Sequence, residues 1–298
     1  MTVAHPAPAG RFTQAGSWSP QRTARALMTF GLMAPALVFL AAWFLWPLLQ
    51  LLLLSFRGPE GTFSTYVALI ESTVFRAVFM NTLQLALVVT VICTLLAYPA
   101  AWLLTHVRGG WFSLALYCVL VPFWISVLVR TFSWMLLLGR NGPANSFLMQ
   151  IGAIDHPLKL LFNDFGVYLG TVHVLLPYAI LPIYSAIIKV DPRLLQASDG
   201  LGASGLSTFL RVFLPLTLPG VWAGAAFVFL LSLGFFITPA LLGGPHNLTA
   251  AMLIDSFVNE RLVWPMAAAA SFILLFIVLA VLLIVSRFVT LGAIVAAK

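Results

Sequence analysis

Six stretches of the chain, 27–56, 78–104, 111–138, 165–188, 220–242 and 266–289, run almost without charge. Each reaches the roughly 20 apolar residues that a helix needs to cross a hydrocarbon core. Backbone hydrogen bonding leaves only helices or closed barrels as spanning structures. A barrel would read as alternating segments of about ten residues, and these runs do not alternate. The pattern predicts an all-α polytopic membrane bundle of six transmembrane helices over 27–298. Ahead of it, residues 1–26 read as a largely disordered cytoplasmic tail, rich in Ala, Pro and Gly as far as Ser19.

Composition agrees with this reading. Of 298 residues, 62% are hydrophobic and 8% charged, against about 25% charged in a soluble domain. Mean hydropathy is +1.06. The net charge of +7 would suggest nucleic acid in a soluble chain. In a membrane chain it reads as Lys and Arg gathered on the cytoplasmic side, so no nucleic-acid partner is expected. Cys93 and Cys118 lie in apolar runs and read as small buried hydrophobes. Arg11, Arg22 and Arg25 precede a first run that is too long for a cleavable signal and reads as a retained span.

Placing the N-terminus in the cytoplasm returns the C-terminus there after six spans. The cytoplasmic segments then hold nine basic residues and the outer loops five, as the positive-inside rule requires. Nearly all the acids, Glu60, Glu71, Asp155, Asp164, Asp255 and Glu260 among them, face outward. Prolines at 35, 47, 99, 122, 177, 182 and 239 predict kinks in the spans. Gly166/Gly170 and Gly220/Gly224 have the spacing that lets two helices approach closely.

Between the fourth and fifth spans stands QASDGLGASGLSTFLRVFLPLTLPG, 196–220, with a literal G-x-G-x-x-G at 200–205. A dinucleotide loop follows a strand and has an acid about 20 residues further on. Here the preceding DPRLLQASD is helical in pattern, and no acid lies between Asp199 and Asp255. The stretch reads instead as a helical hairpin at about 190–219. Asp191-Pro192 starts one arm, small residues around Gly202 make the turn, and STFLRVF leads back into the membrane.

This stretch resembles the EAA loop of bacterial ABC-importer permeases. It carries Gln196-Ala197-Ser198, then Gly202-Ala203, Phe209, Leu214-Pro215 and Pro219-Gly220 at that family's spacing. Gln196 replaces the usual Glu, Ser198 the second Ala, and Gly200 stands where an acid is common; Asp199 is a neighbouring substitute for the lost charge. The run 137–204, with VPFWISVLVRTFSW and FFITPALLGG, resembles the spermidine/putrescine-type permeases, the first of their two permease subunits. The resemblance implies a type I importer fold and a multi-pass protein of the bacterial inner membrane. It implies a second permease, an ATPase dimer that binds ATP and Mg, and an extracytoplasmic solute-binding protein as partners. It also implies an ATPase-coupling role for Gln196, Ala197, Ser198, Asp199, Gly202, Ala203, Phe209 and Arg211, and polyamines as cargo.

The chain has no phosphate-binding loop of the G-x-x-x-x-G-K-[ST] kind and no H-E-x-x-H or G-x-S-x-G motif. No catalytic residue, metal or cofactor of its own is therefore expected. Candidate pathway residues are Arg130, Trp134, Asn81, Gln84, Tyr178, Phe235 and Phe236. Arg130 is the sharpest, because a charge at membrane depth is expensive and faces a cavity or a partner. Its readings are gating, contact with an anionic group of the solute, a structural ion pair, or a side chain reaching the interface. It suits a polycation poorly, which keeps open an anionic or zwitterionic cargo. A membrane enzyme acting on lipids would need a convergent acid/base or metal cluster, and none is found.

Overall fold

The computed structural model describes residues 33–58 and 61–296, and the side chains at all of these except 285 and 288–296. The expected tail at 1–26 lies outside the described residues. The chain divides into two compact units, 1–53 and 54–298. The described part of the first is most of one helix, α1 (Met33–Ser55). It contains a π turn at Ala41–Leu45, in which Trp46 N–H bonds the Ala41 carbonyl. Pro47 follows directly, and its ring cannot sit against a regular preceding turn. The wider turn accommodates it.

The second unit is all helix apart from its connections. α2 (Ser64–Glu71) leads to α3 (Thr73–His106). The next elements are α4 (Gly110–Trp124), α5 (Val127–Leu138), α6 (Pro143–Gln150) and α7 (Asp164–Ile187). α8 (Pro192–Gly200) and α9 (Gly205–Leu233) follow. α10 (Ile237–Leu242), α11 (Ala250–Asn259) and α12 (Trp264–Ala296) complete the unit.

Two of the six expected spans need correction. The third, 111–138, is no straight helix: α4 and the segment from α5 onward meet at 102°. Pro122 removes the donor for the last turn of α4, and Ile125 and Ser126 are extended. The fifth, expected at 220–242, begins at Gly205 and ends at Leu233. The returning arm of the hairpin and the span are thus one helix. A π turn at Phe209–Phe213, again two residues ahead of a proline, here Pro215, marks where they join. Among the described residues, five single helices are long and apolar enough to cross a membrane, and the bent pair counted as one span makes a sixth.

The core of this unit is where α3, α7 and α9 meet. Leu85, Val89, Cys93, Ala97, Ala101 and Leu104 form the buried face of α3. The small residues of this stripe let the helices approach, which is how membrane helices associate when both faces are apolar. α9 meets α7 at glycine. A Cβ at Gly220 would lie 2.3 Å from the Ala186 Cβ, and one at Gly224 would lie 3.0 Å from the Ala179 carbonyl oxygen. At the other end of α7, a Cβ at Gly170 would collide with Leu242. A second cluster joins α2, the start of α3, α11 and α12 through Leu69, Phe75, Phe79, Leu253, Phe257 and the alanines at 267, 269 and 270.

Candidate functional site

The hairpin is built from caps and a turn. The Asp191 side chain accepts from the Arg193 N–H, with Pro192 in the first helical position of α8. α8 ends as Gly202 enters the left-handed region at φ +78, its N–H bonding the Asp199 carbonyl at 2.9 Å. Ala203 N–H bonds the Ser198 carbonyl, and the Ser204 side chain caps the start of α9. The glycine run therefore stops one helix and turns the chain into another. The Ser198 and Thr208 hydroxyls lie 2.9 Å apart across the two arms.

At the tip, Leu201 is 89% and Leu206 69% exposed. Gln196, Ala197, Asp199, Gly202 and Arg211 are exposed, and Ser198, Ala203 and Phe209 half-buried. The arm that continues into α9 is tied to α3. The Tyr98 ring meets Phe209 edge-on with centroids 6.0 Å apart, and the Tyr98 and Thr217 hydroxyls are 2.9 Å apart. Tyr98 and Thr217 carry no motif and are far apart in the chain, so the sequence held no signal for this link.

The candidate pathway residues fall into three places. Arg130, Trp134 and Tyr178 come together. Arg130 is 9% exposed and its Nε has no hydrogen-bond partner. It lies in α5, close enough to Tyr178 and His173 of α7 to interact with them electrostatically. Trp134 donates its indole N–H to His173 Nδ1 at 3.1 Å. An indole nitrogen only donates, so Nδ1 accepts and a neutral His173 carries its proton on Nε2. Tyr178 packs edge-on to Phe123, centroids 4.7 Å apart. Beside Arg130, the buried hydroxyls of Thr131 and Thr238 pair at 3.2 Å and fasten α5 to α10.

Asn81 and Gln84 stand elsewhere, at the end of α7 away from the hairpin. With Asp164, Tyr168 and Asn247 they line a cavity of about 170 Å³. Asn81 donates to the His246 carbonyl at 3.0 Å. Phe235 and Phe236 lie in the turn between α9 and α10 rather than in a span, with Phe235 against the core and Phe236 exposed.

No family model matches the chain. The chain is 39% identical over 232 residues to the spermidine/putrescine transport system permease protein PotB of Escherichia coli K12, covering 78% of this chain and 83% of that protein. It is 36% identical to PotB of Haemophilus influenzae, over 76% and 81% of the two chains. The inner membrane ABC transporter permease protein YdcU of E. coli K12 is 34% identical, over 74% and 73%. Among solved structures, a chain of a bacterial ABC transporter that imports the acidic polysaccharide alginate superposes with a TM-score of 0.71 at 18% identity, covering 91% of this chain and 97% of that one.

A bundle of membrane-length helices, one broken near its middle, with a helical hairpin leading into the next span, is the fold of an ABC-importer permease. This chain belongs to the ABC-transporter permease family that includes the PotB proteins, and is a multi-pass membrane transport subunit.

Proposed function

We propose that this chain is the first of two permease subunits in an ATP-driven importer of small polyamines such as putrescine and spermidine, in a bacterial inner membrane. The observation that carries the reading is its 39% identity to a spermidine/putrescine permease across 83% of that protein's length. The hairpin faces the cytoplasm, as do both termini, and its exposed Leu201 and Leu206 dock on a partner ATPase that binds the ATP and Mg. An extracytoplasmic binding protein delivers solute to the opposite face. Gln196, Ala197, Ser198, Asp199, Gly202, Ala203, Phe209 and Arg211 carry the coupling, with the Phe209–Tyr98 contact passing hairpin movement to α3. ATP and solute drive alternating access because each binds one state of the bundle better than the other.

Arg130 favours a second reading, a zwitterionic or anionic cargo, because its buried guanidinium has an unpartnered Nε. A putative 2-aminoethylphosphonate permease of Salmonella typhimurium is 28% identical over 76% of this chain.

ATP-dependent uptake of labelled putrescine and spermidine into vesicles holding the co-expressed complex separates the two. Uptake that disappears without ATP supports the polyamine reading. ATP hydrolysis without amine uptake sinks it and leaves the phosphonate-like cargo to be assayed in the same vesicles.

A further inference from the structure

The cavity at the end of α7 away from the hairpin combines groups that the sequence holds far apart. Asp164 and Tyr168 are four residues apart on α7, and Asn81 and Gln84 three apart on α3, so each pair shares a helix face. Gln84 and Tyr168 interact through their side chains. Asn247 is held by its Oδ1, which accepts from Gly244 N–H at 2.9 Å, and its Nδ2 donates to Asp164 Oδ1. The carboxylate is therefore oriented by a fixed amide, and no Lys or Arg pairs with it among the described residues.

From this geometry we infer that the cavity is a binding subsite for one primary ammonium end of an alkyl amine. Asp164 supplies the charge, the amide oxygens of Asn81 and Gln84 accept N–H bonds, and Tyr168 offers a ring face for the cation. A single carboxylate among amides and a phenol is too poor in charged oxygens for a calcium site, which takes six to eight oxygen ligands. At about 170 Å³ the cavity is smaller than sites that enclose a whole small ligand, roughly 300–1,000 Å³. It takes one end of the solute and leaves the remaining chain outside. The inference rests on the reading of the chain as an amine importer, which places this cavity at the outer mouth.

Asp164→Asn isolates the charge, because an asparagine there can still accept from Asn247. In vesicles holding the complete complex, this variant should import putrescine at least about tenfold more slowly, the loss expected for a charge-assisted hydrogen bond. Its rate should fall to that of mono-N-acetylputrescine, which lacks one ammonium. Asp164→Glu should restore much of the preference for the doubly charged amine, and both variants should assemble into the complex at wild-type levels. Wild-type uptake by Asp164→Asn, or an equal loss in Asp164→Asn and Asp164→Glu together with failed assembly, overturns the subsite alone. A wild-type complex that hydrolyses ATP and imports no amine overturns the cargo reading and the subsite together.

Discussion

The hydroxyls of Ser198 and Thr208, 2.9 Å apart, join the outgoing and returning arms of the hairpin. Ser198 is one of the positions at which the hairpin departs from the motif it resembles, and its hydroxyl makes a bond that an alanine could not. Thr208 is 8% exposed, and removing its partner leaves a largely buried hydroxyl unsatisfied. Ser198→Ala should loosen the hairpin locally by about 1 kcal/mol. Hydrogen exchange at the amides of 196–210 should quicken severalfold, with the rest of the bundle unchanged.

Gly202 tests the turn. A Cβ there meets nothing within 4 Å, so its left-handed φ of +78 is the whole constraint. Gly202→Asn should be tolerated, and Gly202→Ala should destabilise the turn by roughly 1–2 kcal/mol. Gly202→Pro imposes a φ near −65° and removes the N–H that bonds Asp199. It should abolish transport-coupled ATP hydrolysis in the assembled complex. Wild-type coupling and assembly in Gly202→Pro would refute the coupling role of the hairpin.

The α7–α9 crossing makes a prediction with a built-in reversal. Gly220→Ala puts a methyl group 2.3 Å from the Ala186 Cβ and 2.8 Å from the Pro182 carbonyl oxygen. Overpacking of this kind destabilises by about 1–3 kcal/mol, read as a lower thermal midpoint in detergent. Adding Ala186→Gly removes the closer contact and should recover part of the loss; the Pro182 carbonyl remains.

Arg130 should separate stability from transport. Its Nε is unpartnered inside the bundle, and a buried donor left without its hydrogen bond costs about 1–3 kcal/mol. Arg130→Met should therefore keep or raise the thermal midpoint while uptake falls. A lower midpoint with unchanged uptake would make Arg130 a structural residue.

What is local was legible in the sequence. Hydropathy located the membrane helices, because each must satisfy its own backbone hydrogen bonds in lipid. Asp191-Pro192 and Gly202 located the hairpin, because capping and positive φ are properties of a few adjacent residues. The small-residue pairs on α7 and α9 pointed to the crossings that Gly170, Gly220 and Gly224 make.

Only the tertiary structure decided the rest. Pro122 foretold a kink, but the turn of 102° depends on Ile125 and Ser126 being extended, and Phe235 and Phe236 leave the helix after Gly234. Helices that are apolar all round carry no amphipathic stripe to say which face packs, so the approach of α3 to α7 was unreadable. That approach alone brings Asn81 and Gln84 to Asp164, and the bend alone brings Trp134 to His173. Sequence spacing records neighbours along a helix, while a site shared by several helices exists only once they have packed.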